Sequence, residues 1–349
     1  MFLLTLRDLQ FRAVRFGIAI IGTALVFSMV LIMSGLSARF RNEPRITVEG
    51  IGGDHWVVAE GVTGAFTSGA TIPTSLADDL EANGADEADP VAMVRHTAEG
   101  DTTTDVFLLG HEPGGIGTPE AYEGEAEVDS GAIVAAEETR FGVGDTVKIS
   151  GEDFEVIGLT RSRTIFGGTP ILFMDLADVQ QLVYQGQPVA TSVVVKGEMP
   201  TIPDGFEAKT TEETWQDALR PLEKPVGAID VVQILLWLVA ATIIGAVVYL
   251  SALERRRDFA VMKAVGASSR GLLAGLAAQS ILIALVAALV ATGIQQLLVP
   301  VFPIPIEVPA GAYIQLPILA LLAGALASLG GLRKAVNVDP ALAFSGPGG

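Results

Sequence analysis

The sequence predicts an α-helical membrane protein with four transmembrane helices and an α+β extracytoplasmic domain inserted between helices 1 and 2. Three observations predict it. Half of the 349 residues are hydrophobic, only 18% are charged and the mean hydropathy is +0.49, whereas soluble domains carry about 25% charged residues. The apolar residues gather in runs at 17–38, 229–253, 271–298 and 314–332, close to or beyond the roughly 20 helical residues that cross a bilayer core. The acid is equally segregated: residues 46–228 hold 9 Lys and Arg against 33 Asp and Glu, and the rest of the chain holds 13 against 7. An acidic domain set between basic-flanked apolar runs implies two solvents and two sides of a membrane. The acidity also excludes nucleic acid as a partner of that domain, since phosphate would be repelled. With no cysteine in the chain, disulfides, thiolate metal sites and Cys nucleophiles are excluded.

Residues 1–16 place Leu3, Leu6, Leu9, Phe11 and Val14 at helical spacing, with Arg7, Arg12 and Arg15 on other faces, as in a cytoplasmic amphipathic helix lying at the lipid interface. Residues 17–38 form the first span and contain no ionisable group. A cleavable leader is the competing reading, with Gly35-Leu36-Ser37-Ala38 as the small-residue site. The run is longer than the ~7–15 apolar residues of a leader core. Arg39, Arg41 and Arg45 follow it and nearly match the three arginines before it, so these flanks do not orient the span.

Orientation comes from residues 254–270, where Arg255, Arg256, Arg257, Lys263 and Arg270 make the most basic loop in the chain. Positive charge belongs in the cytoplasm. Span 229–253 then runs inward, residues 46–228 lie outside, and both termini of a multi-pass protein of the cell membrane lie inside. The external loop 299–313 carries only Glu307 and four prolines, and the cytoplasmic tail 333–349 opens with Arg333-Lys334.

Within 46–228, residues 54–59 read as a strand and 75–82 as a short helix capped by Ser75. Strands are expected at 132–134, across 141–159 with Gly151-Glu152-Asp153 as the turn, at 171–174 and at 191–196; a helix is expected at 176–184. Val147 and Ile149 alternate with polar residues, as do Phe154, Val156 and Gly158. Residues 112–129 are rich in Gly, Glu and Pro and read as loop. A helix over 211–222 is expected to end near Pro221 and Pro225.

Motifs for chemistry are missing. The chain has no GxxxxGK[ST], HExxH or GxSxG. His55, His96 and His111 are far apart in sequence, and Gly115 stands where a second zinc ligand would follow His111-Glu112. The acidic pairs Asp78-Asp79, Asp86-Glu87, Glu137-Glu138 and Glu212-Glu213 read as solvated faces. The spans hold no charge in their apolar cores, Asp230 sitting at an edge, and few strongly polar residues, Gln279, Gln295 and Gln296 among them, which argues against an ion-coupled carrier. They do hold small residues at four-residue spacing, Gly271/Gly275, Ala284/Ala288 and Ala320/Gly324/Ser328, the pattern of closely packed helices.

Inside the basic loop, Phe259, Val261, Met262 and Val265 form an apolar stripe while Arg255, Arg256, Asp258 and Lys263 face elsewhere. Gly266 is a helix stop, and Ser268 or Ser269 a cap for the next helix. The periodicity alone fits either a helix on the lipid surface or a lever that fits a cytosolic partner.

The run from Arg255 to Ser268, RRRDFAVMKAVGAS, resembles the RRRExxxLRAxGAS loop of the MacB/FtsX-like permeases of ABC transporters. Leu6-Arg7-Asp8-Leu9 to Arg15 resembles that family's basic N-terminal helix. Arg333-Lys334-Ala335 through Asp339-Pro340-Ala341-Leu342 resembles its C-terminal ending, and Gly144-Asp145-Thr146-Val147 with Phe154-Glu155-Val156-Ile157-Gly158 its external core. The resemblance implies the transmembrane subunit of a type VII ABC transporter, a non-catalytic permease that forms a homodimer and rests on two copies of a separate ATPase. Mechanotransmission then couples ATP hydrolysis to movement of the external domain, for export or extraction of a substrate. It implies ATP and magnesium on the ATPase and no cofactor on this chain. The implied coupling residues are Arg255, Arg256, Arg257, Phe259, Val261, Met262, Lys263, Val265 and Gly266, with Phe259 and Met262 as anchors, and a second cytosolic contact at Asp339, Pro340 and Leu342. The alternative is an FtsX-like regulator that activates an extracytoplasmic cell-wall hydrolase through an external protein partner.

Overall fold

A computed structural model describes residues 13–100, 102–161, 163–254, 260–262, 265–266, 268–302 and 306–336. The chain divides into two compact units, Met1–Ala38 with Gly227–Gly349, and Arg39–Val226. Both covalent links between them lie inside helices, α1 (Ala13–Ile51) and α4 (Thr211–Glu254).

The first unit is helical. Besides parts of α1 and α4 it contains α5 (Ser269–Leu298) and α6 (Ala310–Val336). Among the described residues three helices are long and apolar enough to cross a membrane, Phe16–Ile51, Thr211–Glu254 and Ala274–Val301; α6 contributes a shorter apolar stretch, Ala310–Leu322. Their shared core is rich in alanine: Ala24, Ala240, Ala284, Ala287, Ala288, Ala291 and Ala320 pack with Phe27, Leu31, Ile244 and Ile283. Small side chains let helix backbones approach closely where lipid offers no hydrophobic drive to association. The expected faces at Ala284/Ala288 and Ala320 are therefore packed, whereas a Cβ on Gly275 would meet nothing within 4 Å. Gln295 is buried and satisfied, its Oε1 accepting from Tyr313 Oη at 2.9 Å. Val14, Ile18, Ile21, Leu25 and Met29 form an exposed apolar stripe on α1.

The second unit is α+β. Its main sheet follows the order β13-β1-β12-β3-β4-β10-β6-β8-β5, with β7 pairing β3 and β8, and β9 pairing β10. These strands are β1 (His55–Ala59), β3 (Glu87–Glu99), β4 (Thr103–His111), β5 (Ala121–Gly124), β6 (Ala132–Ala136), β7 (Thr146–Ile149), β8 (Glu152–Thr160), β9 (Thr164–Ile165), β10 (Thr169–Asp175), β12 (Ser192–Lys196) and β13 (Phe206–Thr210). A separate pair joins β2 (Ile72–Pro73) to β11 (Val189–Ala190). Helix α2 (Leu76–Ala82) and helix α3 (Leu176–Tyr184) complete the unit. β10 occupies the middle of the sheet, parallel to β4 and antiparallel to β6.

Several elements depart from the sequence expectation. β3 and β4, the central hairpin, are not among the expected strands, because Pro90 interrupts the pattern of the first; it sits in register opposite Val193. The turn between β7 and β8 is Ser150-Gly151, both left-handed at φ 52° and 88°, one residue earlier than expected and of the kind that suits a two-residue hairpin. Ser75 precedes α2 but makes no side-chain capping bond. Residues 112–129 include the short edge strand β5. Arg39, Arg41 and Arg45, read from the sequence as a flank after the first span, lie inside α1, which continues through Pro44. The helix expected over 211–222 likewise continues through Pro221 and Pro225 as α4. An internal proline costs a helix about 3 kcal/mol, so each continuation must be held by tertiary contacts.

Gly158 illustrates how tightly the sheet is built. A Cβ there would run into the backbone carbonyl of Glu125, which cannot swing aside as a side chain could. Gly158→Ala is expected to destabilise the external unit by about 3 kcal/mol or more, seen as a lowered midpoint in thermal or urea unfolding of the full-length protein.

Candidate functional site

The basic segment between α4 and α5 is described at residues 260–262, 265–266 and 268. Residues 260–262 are helical, Val265 N donates to Val261 O at 3.1 Å, and Gly266 turns the chain at φ 99°. Ser268 then caps α5, its hydroxyl accepting from Gly271 N at 3.2 Å. The structure splits the expected apolar stripe. Ala260 is fully buried and Met262 packs against the helical core, while Val261 is 47% and Val265 84% exposed. Arg255, Arg256, Arg257, Phe259 and Lys263 lie outside the described residues, as do Asp339, Pro340 and Leu342.

A second constellation, not anticipated from the sequence, lies on the last part of α1. Arg39, Glu43 and Thr47 recur at four-residue spacing and therefore share a face. All three engage the β9–β10 hairpin. Arg39 Nη2 donates to Thr164 Oγ1 at 3.4 Å, and Thr47 Oγ1 donates to Thr164 O at 2.7 Å. Between them, the buried carboxylate of Glu43 accepts from Gly167 N at 2.9 Å and Gly168 N at 2.7 Å. The turn residues Phe166, Gly167 and Gly168 have φ of 53°, 88° and 104°. Successive N–H groups in such a turn converge into a concavity that accepts an anion, and here the anion is supplied by the protein.

Helix α4 carries a comparable group. Asp217, 1% exposed, accepts from Phe66 N at 3.3 Å, from Thr67 N at 3.2 Å and from Thr67 Oγ1. The start of α4 is tied to the turn after α1 by Thr211 Oγ1, which donates to Gly53 O at 2.8 Å and Asp54 O at 2.9 Å. The i, i+4, i+8 pattern of Arg39, Glu43 and Thr47 was the available sequence signal. Asp217 gave none, because its partners are 150 residues away in the chain.

Elsewhere in the external unit, His111 is fully buried. Its Nδ1 donates to Glu112 O at 2.8 Å, and burial holds its pKa below the ordinary 6.5 even though Asp175 and Asp89 pull it upward. Burial, reinforced by Asp89, Asp78, Asp175 and Glu81, raises the carboxyl of neighbouring Glu112. Among the described residues no group of three His, Asp or Glu is placed to hold a metal. A cleft of about 840 Å³ beside Glu99, Glu138, Phe141 and Lys148 is polar, with Lys148 paired to Asp153 at 2.8 Å.

Two family models match the chain: the MacB-like periplasmic core domain over residues 16–218 and the FtsX-like permease C-terminal region over residues 231–340. An uncharacterized ABC transporter permease of Mycobacterium tuberculosis is 40% identical over 344 residues, 98% of this chain and 99% of that protein. The chain belongs to the MacB/FtsX-like family of ABC transporter permeases. A Staphylococcus epidermidis protein named as a hemin transport system permease, HrtB, is 21% identical over 58% of this chain and 59% of its own length. Among solved structures, the periplasmic region of MacB from Actinobacillus actinomycetemcomitans aligns with a TM-score of 0.36 at 14% identity, covering 48% of this chain and 94% of that one. The permease is thus a membrane protein with an extracytoplasmic α+β domain.

Removing the Glu43 carboxylate leaves two part-buried N–H groups without that acceptor, at up to about 1–3 kcal/mol each where water does not replace it. Glu43→Ala is therefore expected to lose hydrogen-exchange protection selectively at Gly167 and Gly168. A separate pH dependence follows from His111. Well above pH 6.5 the ring is neutral in folded and unfolded chains alike; as pH falls through that range the unfolded chain takes up the proton before the folded chain does, so stability falls on acidification. Glu112 acts oppositely, because its raised folded pKa favours the folded state as pH falls. His111→Gln should shrink the loss of melting temperature between pH 7.5 and 5.5, and an unchanged loss would assign it to other groups.

Proposed function

We propose that this permease is the transmembrane subunit of an ABC transporter whose ATPase is a separate chain, and that it passes the work of ATP hydrolysis to its extracytoplasmic domain to export or extract a substrate. Four helices span the cell membrane in this reading: α1, α4, α5 and α6. The basic residues Arg255, Arg256, Arg257, Lys263 and Arg270 support a cytoplasmic position for the segment between α4 and α5, and with it for both termini. ATP and magnesium belong to the ATPase, and the assembly holds two permeases on two ATPases. Support for a transporter comes from relatives named as permeases that match over nearly their whole length. Those names lend nothing to the regulatory alternative.

The observation that carries the coupling role is the exposure of Val261 and Val265 within the most basic stretch of the chain. Two apolar side chains beside clustered arginines suit a partner groove with an apolar floor and an acidic rim. Met262 serves differently, as the residue that seats the segment against the helical core. Asp339, Pro340 and Leu342 form a second contact of the tail with the ATPase.

Val265→Glu should reduce ATPase co-purification at least about tenfold, equivalent to 1.4 kcal/mol, with the permease still folded. Met262→Glu should instead lower the stability of the permease itself. Equal ATPase recovery with Val265→Glu and wild type would sink the docking role. Deleting residues after Lys334 tests the tail, and is expected to weaken assembly further.

A further inference from the structure

We infer that Glu43 is a positioning residue through which displacement of α1 reaches the centre of the external sheet. The inference rests on the coupling role proposed above and adds the point of transfer. The two carboxylates that fasten helices to loops differ in what lies behind the loop. The amides held by Asp217 belong to Phe66 and Thr67, in the long connection between β1 and the separate β2–β11 pair. The amides held by Glu43 belong to Gly167 and Gly168, immediately before β10 begins at Thr169. β10 lies in the interior of the sheet, bonded to β4 on one side and to β6 on the other.

Glu43 does not hold the hairpin alone. Arg39 and Thr47, one turn before and one turn after it, bind Thr164 on the opposite arm, so both arms are tied to one helix face. The turn also senses the second helix: a Cβ on Gly167 would stand 3.6 Å from Leu222 of α4 and 3.6 Å from Phe40 of α1. Both helices therefore border the turn that feeds β10. A carboxylate seated on two converging N–H groups is also directional, since sliding α1 by a residue would withdraw both bonds together.

The test uses the full-length permease in nanodiscs, assembled with the ATPase that co-purifies with it. The natural chain has no cysteine, so spin labels at the exposed positions Val14→Cys on α1 and Val143→Cys in the external domain report one distance. Wild type is expected to show an ATP-dependent shift of that distance, measured by pulsed electron resonance. Glu43→Ala should keep the wild-type ATPase rate but lose at least about half of the shift, and Asp217→Asn should keep most of it. A lowered melting temperature with a full shift would make Glu43 merely structural and overturn the inference. If Glu43→Ala does not fold, Glu43→Gln is read instead: its amide can satisfy only part of the concavity, so a reduced shift supports transmission and an unchanged one overturns it. Absence of a shift in wild type would defeat the coupling role itself, a result separate from any failure at Glu43.

Discussion

The constraint on which the external domain depends is that backbone N–H groups left over by its irregular segments must find acceptors. At two places the acceptor is a carboxylate on a long helix: Glu43 of α1 meets the turn before β10, and Asp217 of α4 meets the connection after β1. These bonds explain why α1 and α4 persist beyond their apolar stretches. They act with the bonds of Thr47 and Thr211 and with the packing of Val48, Ile51 and Ala218 to offset the hydrogen bonds lost at the internal prolines. The same contacts settle how the domain's irregular segments are held, because the turn at residues 166–168 has left-handed backbone that needs an external partner to fix it.

The helical unit answers a different problem. Within lipid, burying apolar surface provides little drive, and association depends on close contact. The alanines of α4, α5 and α6 supply that contact, and larger groups such as Phe27 and Trp237, with ring centroids 5.2 Å apart, fill the remaining space. Gln295 and Tyr313 join by a hydrogen bond between two polar side chains that would otherwise be stranded.

Much of this was legible in the sequence because the signals are local. Apolar run length marked the helices, alternation of Val147 with Ile149 and of Phe154 with Val156 marked β7 and β8, and residues 176–184 read directly as α3. The illegible parts are those where distant contacts override a local rule. Pro44, Pro221 and Pro225 ordinarily end helices, yet here they lie within them. Pro90 ordinarily demotes a strand, yet β3 runs 13 residues through it. Met262 belongs to the same apolar stripe as Val261 and Val265, and only the fold shows that it packs against the helical core while they are exposed. The clamp at Arg39, Glu43 and Thr47 was hidden by a charge-based reading, in which three arginines near an apolar run spoke only of topology.

The prolines give the two long helices unequal stiffness. Proline has no N–H, so Pro221 and Pro225 leave the carbonyls of Asp217 and Pro221 without their usual helical donor, whereas Pro44 does this once, at Phe40. Two missing bonds one turn apart make a compliant joint in α4 directly after the residue that anchors it. Near its anchoring residue α4 therefore has fewer backbone bonds to hold it straight than α1 has near Glu43.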